Sequence, residues 1–279
     1  GSISRKHEVR ILDQMLEKDS YKKMLKTVLN ENPDVIGVSP YTKDIHSTRE
    51  LLMRLTKVIP DVKIVVGGVQ ITLMPKETFQ YFWDYIDFGF VGESEVAFSK
   101  FIDALNVGVG SEALEEFKNL VWKKNGQIMV NERERPEHLD KIPFPRWELM
   151  DPRKYPMSPH GAFYKQHPFA PLITSRGCPF GCTFCAAAAV SGKKVRYRSL
   201  DNIFEEIKLL QKKFSVREIH IEDDNFSINK NRAIEFSERM LKENLGITWC
   251  FPNGLRLDSL DLLSLELMNK AGCHSVNVG

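Results

Sequence analysis

Over the first hundred residues, short apolar runs alternate with longer stretches in which apolar positions recur every three to four residues. Val9–Leu12, Val35–Val38, Ile64–Val66 and Tyr85–Val91 read as strands, and the middle two are almost continuously apolar, as strands covered on both faces are. Between them Tyr21–Leu29, Ser47–Val58 and Lys76–Trp83 carry the helical period, with Ser20 and Ser47 placed as N-caps. The pattern predicts an α/β fold in which residues 1–105 form a doubly wound parallel sheet. Ligands of such sheets lie beyond the carboxyl ends of the strands. The candidate binding positions are therefore Ser39, Tyr41 and Thr42 after the second strand, Gly67, Gly68, Gln70 and Thr72 after the third, and Gly92 and Glu93 after the fourth. The Gly67–Gly68 pair allows backbone to approach a ligand closely, or simply ends a strand in a turn. His46 is expected to be a polar residue of a first helical turn rather than a metal ligand.

The pattern changes after residue 105. Val121–Val130 reads as a hairpin, because Asn125–Gly126 supplies the two positive-φ positions of a type I′ turn. Seven prolines from Pro136 to Pro168 then exclude long helices and central strands, so residues 106–170 are expected to be a hairpin and an ordered linker. From residue 171 the alternation resumes: strand 171–175, helix 201–213, strand 218–222, helix 230–243, strand 247–251, helix 260–271 and strand 275–278. Four βα steps without a fourth helix predict the first half of a βα barrel, whose chemistry gathers where the strands end.

Charge narrows the field little. Lysine and arginine number 39 and aspartate and glutamate 37, a net of +2, so neither a nucleic-acid nor an anionic-membrane partner is implied. The longest apolar runs fall far short of the roughly 20 residues of a membrane span, and no signal-peptide pattern leads the chain. The chain opens without Met and closes on a strand, so the expectation is a piece of a longer protein lacking both ends. Five cysteines in a chain long enough to build its own core fit a reducing, cytoplasmic setting.

Three of those cysteines fall within eight positions, Cys178-x3-Cys182-x2-Cys185, directly after the first barrel strand. Structural zinc requires four ligands, and no histidine or fourth cysteine lies close in sequence. Electron-carrying clusters use four cysteines, so that no iron is reactive. Three thiolates leave one iron open to a substrate. Cys250 and Cys273, far apart and without a third partner, read as small buried residues.

The motif from Ser175 to Cys185, with the aromatic Phe184 before the last cysteine, resembles the signature of radical S-adenosylmethionine (SAM) enzymes. Together with Val195–Arg198, Asp223–Phe226, Leu139–Pro145 and Gly67–Thr72, it is similar to the branch that carries an N-terminal cobalamin-binding domain. The resemblance implies a [4Fe–4S] cluster on Cys178, Cys182 and Cys185, SAM chelated at the open iron, and cleavage to a 5′-deoxyadenosyl radical. Methyl transfer from cobalamin to an unactivated carbon would follow, with an electron donor such as flavodoxin or ferredoxin. Cyclisation or ring rearrangement on the same fold is the alternative, and a non-catalytic corrinoid or iron–sulfur module the third reading. The resemblance places Asp223 and Asp224 against the SAM ammonium, Phe184 and Arg256 beside SAM, and the loop residues of the first sheet around cobalamin. Asp223–Asp224 as helix caps and Arg256 in a surface salt bridge are the plainer readings, and Arg196 and Arg198 reach either the cluster or solvent. Asp44-Ile-His46 has Arg49 where histidine-anchored corrinoid proteins have glycine, so cobalt is not expected to be ligated by protein histidine. The first strand and helix of the cobalamin-binding sheet, and the acidic segment after the fourth barrel strand, are expected to be missing.

Overall fold

The computed structural model describes residues 1–13, 16, 21–157 and 163–279, and its contacts divide the chain into two units, 1–136 and 137–279. Ser20, expected as a cap, lies outside the described residues.

In the first unit α1 (Tyr21–Glu31) leads to β1 (Val35–Val38), α2 (Ile45–Val58) and β2 (Lys63–Val66), then α3 (Val69–Leu73), α4 (Pro75–Tyr81) and β3 (Phe88–Phe90). The three strands are parallel and adjacent in chain order. Alternate side chains of a strand face opposite ways, and here they feed two cores. Ile64 and Val66 pack with Leu52, Leu55, Ile71, Phe79 and Phe82 of α2 to α4. Val65 and Phe90 pack on the other face with Phe101 of α5 (Glu95–Leu105), a helix not anticipated from the sequence. The predicted 76–83 helix is observed as α4, started by Pro75, whose missing N–H costs nothing at a first helical position, whereas the short α3 before it was not anticipated.

Three expectations differ from the structure. Val9–Leu12 forms no strand; Leu12 packs on the core, but the segment has no ladder partner. The 121–130 hairpin does turn at Asn125 (φ 49°) and Gly126 (φ 77°), yet it belongs to the first unit rather than to a linker. Its strands β4 (Leu120–Lys124) and β5 (Gln127–Val130) extend the sheet antiparallel from β3, with Phe88 opposite Trp122. Leu120, Val121 and Trp122 are all buried, and docking on the β3 edge is what covers them. Ser47 is not the cap of α2, which starts two residues earlier; its hydroxyl instead donates to the Asp44 carbonyl.

The second unit is a four-stranded parallel sheet in the order β11 (Cys273–Val278), β10 (Thr248–Leu255), β9 (Glu218–Ile221), β6 (Phe169–Leu172). A short helix, α6 (Ala187–Ser191), precedes the connecting helices α7 (Leu200–Phe214), α8 (Lys230–Glu243) and α9 (Leu262–Lys270). Ser199 caps α7, Asn229 caps α8, and Asp261 with Ser264 forms a reciprocal capping box on α9. Leu172, Ile219, Ile221, Trp249 and Phe251 pack against Ile203, Phe204, Ile207 and Phe236 from the helices. Each large apolar side chain so buried contributes about 1.5–3 kcal/mol. The opposite face of the sheet presents Glu218, His220 and Cys250. This is the first half of a βα barrel, as the alternation predicts.

Candidate functional site

Just beyond β6 the chain forms β7 (Ser175–Arg176) and, twenty residues on, β8 (Arg196–Tyr197), which pair antiparallel, Ser175 to Tyr197 and Arg176 to Arg196. This two-residue ribbon pinches shut the base of the cysteine loop. Inside it the Cys178 N–H donates to the Gly192 carbonyl (2.9 Å), the Cys185 N–H to the Cys182 carbonyl (3.1 Å), and the Ala187 N–H to the Cys185 Sγ (3.4 Å). Gly177 must be glycine: its φ is +104°, and a Cβ there would lie 2.3 Å from the Lys194 carbonyl oxygen.

All five cysteines are free; Cys178 is half-buried, and Cys182 and Cys185 are exposed. Burial pushes the Cys178 thiol up, and the nearby negative charge of Asp224 and the two other sulfurs adds to this. Among the described residues, the set of three or more possible ligands that all lie within 4.8 Å of one another is Glu218, Cys250 and His274. A tetrahedral zinc with bonds of about 2.3 Å holds its sulfurs about 3.8 Å apart. With three thiols the loop falls one ligand short of a closed tetrahedral zinc site. Cys250 and Cys273 are buried elsewhere, and burial pushes both thiols up to about 12.

The two acids after β9 take different places. Asp223 is buried, and its carboxylate accepts from the Thr174 N–H, the Thr174 hydroxyl and the Ser175 hydroxyl, each at 2.6 Å. Burial pushes its carboxyl up, and these donors pull it back. With its oxygens so engaged, Asp223 anchors the root of the cysteine loop, whereas the pairing of both acids with one ammonium rests on the resemblance. Asp224 is half-buried, accepts from the Gly177 N–H (3.0 Å), and lies beside Cys178. Neither acid caps a helix; Asn225 and Asn229 do. Arg256, at the end of β10, stands over the Phe180 ring at 4.0 Å, binds Asp258 at 2.6 Å, and feels the charge of Cys182 and Cys178. Phe184 is 92% exposed. Arg196 braces the loop through the Ser191 carbonyl, whereas Arg198 is committed to Glu206 at 2.7 Å and the Ile173 carbonyl. Glu222 was not singled out in the sequence; it is half-buried at the end of β9, and burial first and Asp223 second push its carboxyl up.

On the inward face Glu218 accepts from the Lys165 and Gln166 N–H groups, the Thr248 hydroxyl, and the Nε2 atoms of His220 (2.9 Å) and His274 (3.1 Å). Burial disfavours its charge, but the donors outweigh burial and bring the carboxyl from 4.5 down to about 2. A carboxylate depressed on folding stabilises above its unfolded value and loses that stability as pH falls. Chelator-treated protein is thus expected to lose about 3 kcal/mol between pH 4.5 and pH 2 through this group. Urea unfolding across that range checks it, with Glu218→Gln lacking this part of the slope.

In the first unit a cleft of ≈ 480 Å³ opens at the carboxyl ends of β1 to β3, lined by Ser39, Gly67, Gly68, Gly92, Glu93 and Ser94 among others. Gly68 has φ +86°, and a Cβ there would meet the Ser39 Cβ at 3.2 Å, so the slot depends on bare backbone. Thr42, Gln70 and Thr72 were expected in the lining but brace it from behind. The Thr42 hydroxyl donates to Gln70, Gln70 to Thr78, and Thr72 both donates to the Gly68 carbonyl and accepts from the Gly92 N–H. Tyr41 is 61% exposed and does not line the cleft. His46 sits in the first turn of α2 and binds the Tyr81 hydroxyl at 2.7 Å, away from the cleft.

Comparison with known proteins bears on both sites. Residues 3–102 match the model of the B12 binding domain, and residues 172–279 that of the radical SAM superfamily. An uncharacterized methyltransferase, PH0819, of Pyrococcus horikoshii is 31% identical over 99% of this chain and 58% of its own length. Cytidylyl-2-hydroxyethylphosphonate methyltransferase of Streptomyces wedmorensis is 28% identical over 91% of the chain and 51% of its own. An anaerobic magnesium-protoporphyrin IX monomethyl ester cyclase of Rubrivivax gelatinosus is 27% identical over 98% and 48%. The chain thus spans about half the length of these relatives. The solved structure of the radical SAM methyltransferase TsrM from Kitasatospora setae superposes with a TM-score of 0.75 at 18% identity, over 98% of this chain and 53% of that one.

Proposed function

Because the chain belongs to the radical SAM superfamily, in the branch with an N-terminal B12 binding domain, we propose that it is the core of a cobalamin-dependent methyltransferase acting on an unactivated carbon. The observation that carries this reading is the ribbon-clamped loop with three free thiols and no fourth cysteine beside them. When bound, a [4Fe–4S] cluster with SAM supplies a hydrogen-abstracting radical, and cobalamin supplies the methyl group.

The chain's own residues position and shield. Cys178, Cys182 and Cys185 hold the cluster. The Asp224 carboxylate, beside Cys178, suits the SAM ammonium, and the Arg256 guanidinium on the Phe180 ring suits its carboxylate. The exposed Phe184 ring offers an apolar face to the same ligand. Ser39, Gly67, Gly68, Gly92 and Glu93 line the slot that receives part of cobalamin, with Thr42, Gln70 and Thr72 holding its walls. No helix of the described residues is long and apolar enough to cross a membrane, and free thiols suit a reducing cytoplasm with a flavodoxin or ferredoxin as electron donor. The cyclase relative of similar coverage supports a second reading, ring closure on the same fold.

Anaerobic reconstitution of the full-length gene product with iron, sulfide, cobalamin and SAM separates the two. Methyl transfer requires 5′-deoxyadenosine formation together with turnover of methylcobalamin. Deoxyadenosine formation indifferent to added cobalamin favours cyclisation.

A further inference from the structure

The face of the second sheet that does not pack on its helices carries a polar cluster built from three adjacent strands. Glu218 opens β9, Cys250 lies in β10, and His274 in β11; one ligand atom of each falls within 4.8 Å of the other two. Glu218 and Cys250 are buried, and the His274 side chain is only 14% exposed. The pairing of β10 with β11 shifts register at this point: Trp249 faces Cys273 and Cys250 faces Ser275, which leaves His274 as the extra residue of a bulge. A bulge re-aims a side chain that regular alternation would send elsewhere, and here it brings the His274 Nε2 to 3.1 Å from Glu218.

The charge of the cluster is the second observation. Glu218 is a fully buried carboxylate, and its described ion-pair partners are two imidazoles, His220 and His274, which carry charge only if protonated. These neutral donors fix the carboxylate oxygens without supplying positive charge, which leaves an anionic ligand beside an imidazole and a thiol. Carboxylate, imidazole and thiol together form the donor set of Zn²⁺ and its close relatives rather than of Mg²⁺ or Ca²⁺, which require oxygen ligands. We infer that Glu218, Cys250 and His274 bind one divalent transition-metal ion of the Zn²⁺ class, a site separate from the cysteine loop. Glu218 is already an anion, His274 becomes a ligand when its proton shifts from Nε2 to Nδ1, and the Cys250 thiol releases its proton to solvent as the metal–sulfur bond forms. The His220 Nε2, 2.9 Å from the same Glu218 oxygen, orients that carboxylate. The ion would tie three neighbouring strands together near the amino end of β9, whereas the cysteine loop follows the carboxyl end of β6.

The inference is independent of the proposed methyl transfer, and its test removes the cluster loop altogether. A chain carrying Cys178→Ala, Cys182→Ala and Cys185→Ala is titrated anaerobically with Co²⁺. The expected result is one equivalent bound, with a thiolate-to-cobalt charge-transfer band and displacement by Zn²⁺. In that background Cys250→Ser should remove the band and weaken binding more than about 100-fold, and His274→Gln should weaken it at least about 10-fold. X-ray absorption of the Zn²⁺ form should show one sulfur at about 2.3 Å with nitrogen and oxygen at about 2.0–2.2 Å. That spectrum decides the matter even if a Cys250 variant fails to fold. No bound cobalt, binding without a thiolate band, or a band that survives Cys250→Ser overturns the assignment and leaves a hydrogen-bonded carboxylate–imidazole network.

Discussion

Replacing Cys182 by alanine is expected to strip the reconstituted chain of its iron and to reduce SAM cleavage more than 100-fold. Loss of a group that only orients a metal ligand already costs about 10–100-fold in affinity, so loss of one of three ligands sets a higher floor. Nothing nearby replaces it: the two remaining cysteines are buried elsewhere in the unit, with thiols pushed up to about 12. The fold should survive, because Cys182 is exposed and the loop is closed by the β7–β8 ribbon and by Gly177 rather than by that side chain. Iron and sulfide analysis beside a thermal melt checks both halves. Full iron content in the variant sinks the cluster assignment.

Asp223→Ala is expected to be the most destabilising single change near the site, at about 3–5 kcal/mol. It removes the acceptor of the Thr174 N–H and of two hydroxyls, among side chains that are all buried. A buried donor left without a partner costs about 1–3 kcal/mol. Arg232 compounds the loss: it is partly buried, it donates to the Thr174 carbonyl, and burial pulls its charge down while Asp223 supports it. Against a typical total of about 5–15 kcal/mol, this is a large share. Because Thr174 and Ser175 are the root of the cysteine loop, cluster retention should fall as well, even below the melting temperature. Denaturant unfolding of the variant, with iron content measured alongside, tests it. A variant as stable as the parent would overturn the anchoring role of Asp223.

How much of this was legible in the sequence depended on whether the signal was local. The helix at 230–243 was read to the residue, because its apolar period and its asparagine cap are both in the chain. The three thiols, their place after a strand, and the glycine slot were legible for the same reason: the chemistry lies in consecutive residues. What escaped depended on distant partners. Val9–Leu12 has the alternation of a strand but no edge to pair with, and the 121–130 hairpin gave no sign that β3 would receive it. Gln70 and Thr72 have the look of binding residues, yet their partners Thr42, Thr78 and Gly92 turn them into braces. Asp223 and Asp224 are adjacent in sequence and different in role, since Thr174 and Ser175 engage the first and Gly177 the second. The inward cluster had a readable signal that went unused: Glu218-Ile-His220-Ile-Glu222 alternates, which places its three polar residues on one face and the isoleucines on the core.

The central claim is that three thiolates hold an iron cluster with one corner open to SAM. Electron paramagnetic resonance of the anaerobically reconstituted and reduced chain, recorded before and after adding SAM, tests it most directly. The account predicts the signal of a reduced [4Fe–4S] cluster whose line shape changes when SAM coordinates the open iron. A cluster signal indifferent to saturating SAM, or a protein that takes up a lone metal ion at this loop and no cluster, would contradict it.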